Sequence, residues 1–456
     1  MQNYGEGKVI AMNNGENIAI KVGEIYFEIS ADGGVKGEIE VKLDTTPGVI
    51  EGNGTSDEPF VIMSIEDLVL FSKQVNEGTN NYSGQYVELG KTLDFNSDLS
   101  YVNPKTTDYD TYLGGDGTKG LKEQLAKGKG FVPIGNSNYF SGCFDGNNYE
   151  IKNIYENIEG FGGLFGYIRG NNEQITTTIK NLTISGNITA TKYSAGIVGE
   201  ASYEYIVLEN LVNYVNVTAN NSTGGIVGRT FGASGIIKFD KCINYGNMIS
   251  KGATGGVLGE GYGRTIEIKN CANYGKLENL SQYSYCGTGG IMGGGYNPTV
   301  KIYNSHNSGE LLGNSRVAGI YGHSATENYR NVLANVYNVG KAEKYTWTPG
   351  GLAGQDSRFA NVINSYYLSI YQYGIGWGSV IAGTQYTEEK IKAIDFVNEL
   401  NANIENSCSY EQENDDGTTT TVTIDTTGWA KWVYNSGWYP TLDTSTTWNG
   451  SSWVTK

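Results

Sequence analysis

The sequence holds very few of the residues from which most catalytic and metal sites are built. Its 456 residues include 2 histidines, His306 and His323, and 5 cysteines. The cysteines are widely spaced and form no C-x-x-C pair, which argues against a disulfide framework or a zinc site. There is no H-E-x-x-H motif, and no spacing indicates a Ser-His-Asp triad. We therefore expect no metal, no cofactor and no catalytic residue.

Three further scarcities narrow the class of protein. Lysine and arginine number 32 against 48 acidic residues, and this net charge of −16 argues against nucleic-acid partners, which need a basic surface. No apolar run approaches the roughly 20 residues of a membrane span. The first residues show no basic segment followed by an apolar run, so no signal peptide is expected. With 7 prolines and 12% aromatic residues, the chain is also neither a linker nor disordered.

Glycine, in contrast, is abundant and recurs at a fixed period. A Gly-x-x-Gly tetrapeptide appears seven times, with starts 33, 29, 31, 34, 29 and 32 residues apart, at Gly163, Gly196, Gly225, Gly256, Gly290, Gly319 and Gly351. About fifteen residues after most copies comes an asparagine between apolar positions, at Asn181, Asn210, Asn270, Asn304, Asn335 and Asn364. A period of this length indicates a solenoid, a propeller or a repeat array.

The pattern favours an all-β fold, a parallel β-solenoid. The apolar segments are too short to stand alone, but stacking coils about 4.8 Å apart pairs their backbones. Glycine at this density would cost a helix about 1 kcal/mol per site. A propeller stays possible, although its blades usually take roughly 40 residues or more. The bracketing glycines are expected to supply positive φ or close backbone approach at each corner.

The repeat register predicts where individual residues lie. Cys242 and Cys271 align with Leu182, Leu211, Ser305 and Val336 of other coils, and are predicted to be small core residues rather than metal ligands or a disulfide. His306 aligns with Val212, Ile243, Ala272 and Tyr337. Because that position varies, His306 is predicted to face solvent or to fill a pocket, and the same holds for His323.

The rest of the chain is divided around the repeats. Residues 1–43 are expected to form a small β attachment module, with strands near 9–12, 18–20, 25–29 and 39–41, and 44–57 a linker. Residues 58–150 should begin the solenoid, with one helix capped by Ser64 and a side loop near 101–130. The repeats occupy 151–385. A helix over 387–403 and an aromatic cap that hides the open end fill 386–442, and 443–456 form a polar tail.

At this point the sequence resembles the GLUG-motif repeat proteins of bacterial surfaces and phages, whose motif also occurs near the amino end of IgA1-specific metallopeptidases. The resemblance covers about residues 52–442 and rests on Gly163-Leu-Phe-Gly166, Gly54–Ile62, Val132–Gly135, Phe144–Asn147 and Trp438–Pro440. It implies a right-handed parallel β-helix in an adhesin-like or structural role. It carries no catalytic residues.

These observations favour a non-enzymatic binding or structural appendage. The leading hypothesis is a phage virion fibre or decoration protein, such as a head or tail fibre. Residues 1–43 would attach it to the virion or to a surface scaffold, and the solenoid would bind a host-surface glycan or protein. Self-association into a homo-oligomer stays open. The alternatives are a secreted or cell-surface bacterial adhesin and a polysaccharide-degrading parallel β-helix enzyme, although acidic residues are sparse within the repeats.

Tyrosine, with 34 residues, supplies the candidate binding surface. Five tyrosines fall at or near equivalent turns and are predicted to form an exposed column, namely Tyr245, Tyr274, Tyr303, Tyr337 and Tyr366. Aromatic faces stack on sugars, and the hydroxyl adds a hydrogen bond. The alternative is that these rings pack against each other along the stack.

Overall fold

The computed structural model describes strands within residues 1–49, and then residues 50–96 and 130–455 apart from 284–285, 315, 325–329, 344–347, 356–360, 378–381 and 415. The chain divides into two compact units, 1–49 and 50–456. In the first, Asn3–Tyr4 pairs antiparallel with Lys8–Val9, and Ile18–Val22 pairs antiparallel with Ile25–Ile29. The predicted strand at 39–41 and most of the side loop lie outside the described residues. The attachment role of 1–43 stays a prediction.

The second unit is a parallel β-solenoid, which confirms the predicted fold. The strands of successive coils pair in parallel and form five ladders. Ladder 1 contains Phe60–Ile62, Tyr86–Leu89, Cys143–Asp145, Thr177–Ala190, Tyr205–Ala219, Ile236–Asn244, Thr265–Lys269, Thr299–Tyr303, Val332–Ala334 and Asn361–Ile363. Ladder 2 adds Leu93–Asp94, Glu150–Ile158, Ala272–Asn273, His306–Asn307, Tyr337–Asn338, Tyr366–Leu368 and Thr384–Tyr386.

Three further ladders complete each coil. Ladder 3 continues from the long strands into Met248–Ser250, Leu277–Asn279, Leu311–Gly313 and Ala342–Glu343. Ladder 4 contains Ser194–Ala195, Thr223–Gly224, Thr254–Gly255, Thr288–Gly289 and Val317–Ala318. Ladder 5 contains Phe165–Gly170, Val198–Tyr203, Val227–Phe231, Leu258–Tyr262, Met292–Tyr296, Tyr321–Ser324, Gly350–Gln355 and Tyr373–Trp377.

Apolar side chains of like position stack inside the coils and form one continuous core. In ladder 1 the inward column is fully buried and consists of Phe144, Ile179, Leu208, Phe239, Ile268, Ile302 and Leu333. Burying each such side chain stabilises the fold by about 1.5–3 kcal/mol. Cys242 and Cys271 are also fully buried, with free thiols, which confirms their placement in the core.

The landmark asparagines turn the chain at the corner between ladders 1 and 2. Asn181, Asn210 and Asn270 have left-handed φ values of 53°, 52° and 55°. Asparagine tolerates this conformation better than most residues, because its short side chain can hydrogen-bond locally. These side chains also link the coils, since Asn210 Nδ2 donates to Asn181 Oδ1 at 3.0 Å and Asn304 Nδ2 to Asn270 Oδ1 at 2.8 Å.

A second row of asparagines runs through the interior and was not predicted as such. This inner asparagine ladder is fully buried and consists of Asn213, Asn244, Asn273, Asn307 and Asn338. The Nδ2 of each of the first four donates to the Oδ1 of the next coil, at 2.7, 2.8, 2.8 and 2.9 Å. Each Nδ2 also donates to the carbonyl two residues ahead, as in Asn244 to Gly246 O at 2.9 Å. The buried amides are thereby satisfied, as burial requires.

The opening glycines of five of the seven brackets lie directly on this ladder, namely Gly196, Gly225, Gly256, Gly290 and Gly319. A Cβ on Gly225 would stand 2.2 Å from the carbonyl oxygen of Gly256 and 2.5 Å from Asn244 Cγ. Gly256 faces Asn273 in the same way, since a Cβ added there would lie 2.4 Å from Asn273 Cγ. Among the opening glycines of the seven brackets, Gly163 alone has a left-handed φ, 141°. Close approach, rather than positive φ, is therefore what requires glycine at most of these corners.

Helices lie at both ends of the solenoid sequence. Helix α1 (Ile65–Asn76) begins at Ser64, whose Oγ accepts a hydrogen bond from Asp67 N at 3.1 Å, which confirms the predicted cap. Its Phe71 packs against the aromatic core near the start of the solenoid, 5.6 Å from Phe140 between ring centroids. The predicted helix over 387–403 is divided into α2 (Glu388–Ile391) and α3 (Ile394–Glu405).

The C-terminal segment, residues 386–455, differs from its prediction. It forms a hairpin of Cys408–Glu413 with Thr419–Ile424, and an antiparallel sheet of Ala430–Val433, Thr441–Trp448 and Trp453–Thr455. The predicted polar tail therefore belongs largely to this sheet. Within it, Trp448 and Trp453 pack together with their ring centroids 5.4 Å apart.

The prediction placed this segment as a cap over the open end of the solenoid. In the structure it packs along the side of the last coils instead. The backbone N of Ala430 donates to Asn270 Oδ1 at 2.7 Å, and Asn304 Nδ2 donates to the carbonyl of Ala430 at 2.8 Å. Trp432 Nε1 donates to Asn304 Oδ1 at 2.6 Å, and Asn335 Nδ2 to the carbonyl of Leu400 at 3.2 Å. The corner asparagines thus hold the segment in place.

Replacing an inner asparagine should cost far more than replacing an outer one. Asn273→Ala removes the acceptor of Asn244 Nδ2 and the donor to Asn307 Oδ1 in the core, so we expect a loss of about 2–4 kcal/mol of unfolding free energy. The exposed Asn216→Ala is the matched control, with a loss of at most about 0.5 kcal/mol. Chemical denaturation measures both, and equal losses would contradict the ladder's role.

Replacing a bracket glycine even by alanine should destabilise the fold. Gly225→Ala places a methyl group against backbone that cannot retreat, and we expect a loss of about 3 kcal/mol. Gly294→Ala is the control, because a Cβ there would first meet Ala253 Cβ at 3.4 Å. Thermal unfolding of the two variants provides the comparison, and similar midpoints would argue against close approach as the constraint.

Candidate functional site

Three of the five tyrosines predicted to be exposed are buried. Tyr303, Tyr337 and Tyr366 are 8%, 0% and 3% exposed. The C-terminal segment covers them, since Tyr303 stacks on Trp429 at 5.5 Å between ring centroids and the Tyr337 hydroxyl donates to the carbonyl of Pro440. The exposed column is therefore wrong for these three residues.

The other two tyrosines pack against each other, as the alternative prediction had it, and Tyr245 is at the same time 40% exposed, as the predicted column required. Tyr214 stacks on Tyr245 at 4.7 Å with planes 5° apart, and Tyr245 stacks on Tyr274 at 4.8 Å with planes 7° apart. Both faces of Tyr245 are occupied by neighbouring rings. A sugar stacks on a free aromatic face, so this tyrosine column offers little surface for it. Glycan binding by Tyr245 and Tyr274 stays a prediction.

Both histidines lie inside the protein, so the solvent-facing alternative is wrong for them. His306 is fully buried between the Tyr337 ring, stacked at 4.9 Å, and the edge-on Trp432 ring at 5.5 Å. Neither ring nitrogen of His306 has a hydrogen-bond partner in the described part of the chain. Burial lowers its pKa to about 3. His323 is 2% exposed and its Nδ1 lies 2.7 Å from Arg316 Nη1.

Acid should destabilise the protein through His306. Its pKa is about 3 when folded and 6.5 when unfolded, so the unfolded state binds the proton first and stability falls as pH drops from 6.5 towards 3. The expected loss is about 2 kcal/mol at pH 5. His306→Phe keeps a ring in the pocket and should remove this part of the pH dependence. Denaturation at pH 7 and pH 5 measures the difference, and parallel curves for the two proteins would contradict it.

One buried carboxyl belongs to the core rather than to a site. Glu156 is fully buried, in register with the core residues Ile188 and Val217, and its Oε2 accepts a hydrogen bond from Gly163 N at 3.0 Å. Burial raises the pKa of this carboxyl well above its ordinary value. Its position inside the coils keeps it away from any polymeric substrate.

The outward side of ladder 5 carries an aromatic face that the sequence analysis missed. Its centre is Phe231, Tyr262 and Tyr296, which are in register along the ladder, and Tyr203 ends the strand before them. Tyr193 and Tyr283 lie outside the strands of ladder 5 and line the adjoining groove. Phe231 and Tyr262 lie 5.1 Å apart with planes tilted by 32°, and Tyr262 and Tyr296 lie 6.0 Å apart with planes tilted by 33°. Tyr203, Phe231 and Tyr262 are 45%, 39% and 38% exposed. Tyr214 and Tyr245 of the tyrosine column are similarly exposed, at 47% and 40%, but their rings are parallel and lie closer together, 4.7 Å between centroids.

Arginine stiffens this aromatic face. The Arg229 guanidinium carbon lies 4.5 Å from the Tyr193 centroid and 4.9 Å from the Phe231 centroid, within cation–π range. Arg229 Nη1 also lies 3.7 Å from Glu200 Oε2. Burial raises the pKa of the Glu200 carboxyl, and the nearby Arg229 charge opposes that rise. The face thus combines rings, a cation and a carboxylate on a rigid ladder.

A groove of about 400 Å³ adjoins the aromatic face. Its walls include Tyr193, Asn221, Ser222, Lys251, Glu260 and Tyr296, and its floor includes Gly294 and Gly295. Glu260 Oε2 accepts a hydrogen bond from Ser222 Oγ at 2.7 Å. Concave sites that mix rings with a few placed polar groups are the usual form of small-ligand sites.

A signal for this face was present in the sequence. Phe231, Tyr262 and Tyr296 each stand three residues after the closing glycine of a bracket, in three consecutive coils. Within the described ranges no cluster of three or more His, Cys, Asp or Glu could hold a metal ion. None of the helices described is long and apolar enough to cross a membrane.

No family model matches the chain, and its similarities to known proteins include the following two. The first is halomucin from Haloquadratum walsbyi, 30% identical over 187 residues, which covers 40% of this chain. The chain spans only 2% of halomucin's own length. The second is a solved structure of a candidate immunoglobulin A1 protease from Bacteroides ovatus, with 17% identity and a TM-score of 0.47 over 81% of this chain and 93% of that one.

Proposed function

We propose that this protein is a non-enzymatic rod, displayed outside the cell, that binds polysaccharide along its aromatic face. The tilted, part-exposed rings of Phe231 and Tyr262 on ladder 5 carry the proposal. Tyrosine and phenylalanine rings supply large contact area on rigid side chains, and the solenoid holds them in a line along its axis. A polymer lying along the rod would contact several coils at once, and linked weak contacts add up to useful affinity.

The partners of the two carboxylates near the aromatic face, Glu200 and Glu260, support binding rather than catalysis. Glu200 faces Arg229, and Glu260 accepts from Ser222, so each carboxylate has a positioning partner. Neither arrangement resembles a pair of acids placed on opposite sides of one glycosidic bond. Polysaccharide cleavage is the second candidate function, and Glu260 in the groove is the residue on which it would depend.

The place of the rod is proposed from two similarities. Halomucin is a mucin by name, and the similarity supports a position outside the cell or at a cell surface. The resemblance to GLUG-motif proteins supports the finer proposal of a phage head or tail fibre, attached through residues 1–43 to the virion and binding a host-surface glycan or protein. A cell-surface adhesin is the alternative. Electron microscopy of purified virions labelled with antibody to this chain separates the two.

Binding should depend on the aromatic face. The double variant Phe231→Ala/Tyr262→Ala removes two stacking rings, and we expect about a tenfold loss of affinity for immobilised polysaccharide. Tyr214→Ala, in the tyrosine column, is the matched control and should bind as the unchanged protein does. A glycan array followed by equilibrium titration provides the measurement. No binding to any polysaccharide, or a loss confined to Tyr214→Ala, would contradict the proposal.

A further inference from the structure

The groove exists because one position of ladder 5 lacks a side chain. Positions in register along this ladder are Glu200, Arg229, Glu260, Gly294 and His323. The first three coils carry long charged side chains and the last carries a buried imidazole, whereas Gly294 has no side chain. The cavity of about 400 Å³ lies at this empty position, with Glu260 of the preceding coil as one wall.

The fold itself does not demand glycine at position 294. The backbone of Gly294 is not left-handed, and a Cβ there would first meet Ala253 Cβ at 3.4 Å, an ordinary contact. The neighbouring Gly293 is different, since its Cβ would lie 2.6 Å from the carbonyl oxygen of Gly259. Gly293 is needed to stack the coils, whereas Gly294 opens a space. A glycine that leaves room without a structural need points to a ligand.

The walls of the groove offer the groups that hold a sugar ring. Tyr193 and Tyr296 supply aromatic surface, and Asn221 supplies an amide that both donates and accepts hydrogen bonds. Glu260 is oriented by the Ser222 hydroxyl on Oε2, so Oε1 can accept from a ligand hydroxyl. Sugar hydroxyls are donors as well as acceptors, and a fixed carboxylate makes strong hydrogen bonds to such donors.

The charges of the groove select against charged sugars. Lys251 and Glu260 line it together, one of each sign. An acidic sugar would meet Glu260 in a chain whose net charge is −16, and an amino sugar would meet Lys251 with Arg229 nearby. Resting on the proposed polysaccharide binding, we propose that this groove is a subsite for one uncharged sugar unit, whose hydroxyls bind Glu260 and whose ring faces the tyrosines.

Filling the groove tests the proposal directly. Gly294→Leu in the full chain should lower affinity for uncharged polysaccharides at least tenfold, and Glu260→Gln should lower it about tenfold through loss of the charge-assisted bonds. A Cβ at this buried position would have Ala253, Gly287 and His323 within 4 Å, so the thermal midpoint of Gly294→Leu is measured as well. The smaller Gly294→Ala is titrated beside it and should lower the affinity less. The probes are a neutral glucan, a neutral mannan, a uronic-acid polymer and a deacetylated amino-sugar polymer, titrated at the same ionic strength.

The outcomes separate this proposal from the one it rests on. If Gly294→Leu binds neutral polymers unchanged while Phe231→Ala/Tyr262→Ala loses them, the subsite is refuted and the aromatic face stands. If the unchanged protein binds no polysaccharide, the proposed function fails as well. Preference for either charged polymer overturns the assignment to uncharged sugars. Release of shortened products, abolished by Glu260→Gln, overturns it in favour of a cleaving enzyme.

The thiol of Cys286 provides an independent readout, because it lines the groove and is 9% exposed. Bound neutral oligosaccharide should slow its alkylation severalfold, as followed by mass spectrometry of the peptide that contains it. Cys143, which lies in ladder 1 away from the groove lining, is the internal control and should react at an unchanged rate. Equal alkylation of Cys286 with and without saturating ligand would overturn the location.

Discussion

The structure depends on the contact between the bracket glycines and the inner asparagine ladder. Each amide must reach the next coil at 2.7–2.9 Å, and the opening glycine must lie flat on it. The two requirements support each other, because a side chain on the glycine would push the amides out of hydrogen-bond range. Buried amide chains of this kind hold strongly when complete and fail when one member is missing. The spacing of the coils from Asn213 to Asn338 follows from this contact, whereas the coil before them carries Ile184 at the same position.

Periodicity was sufficient to predict the architecture. Once the repeat register is known, in-register residues share an environment, so Cys242 and Cys271 could be placed in the core from their alignment with Leu211 alone. The corner asparagines and the Ser64 cap were likewise predicted from local backbone preferences. What the sequence left open about glycine is which of two mechanisms applies. A recurring glycine indicates either unusual φ or close approach, and only the position of Asn244 against Gly225 distinguishes them.

Contacts between distant parts of the chain escaped prediction. Tyr337 is buried because Pro440, more than a hundred residues away in the sequence, lies over it. No local sequence pattern predicts that the C-terminal segment packs against this tyrosine. The aromatic face was missed for a different reason. Its recurrence begins only at Phe231, since the earlier coils carry Arg169 and Ser202 at the same position. The groove at Gly294 could not be predicted, because Gly294 lies within a run of glycines and nothing in the sequence distinguishes it from its neighbours.

The C-terminal segment has a consequence for how this rod can change in length. Its described contacts with the corner asparagines run from Asn270 through Asn304 and Asn335. The helix and sheet of the segment therefore fit only one number of coils between these asparagines. A coil duplicated or lost within that span would displace every later contact by one step. Within the described residues, the corner asparagines Asn181 and Asn210 make no such contact with this segment. A coil gained or lost on the amino-terminal side would leave the contacts at Asn270, Asn304 and Asn335 in register.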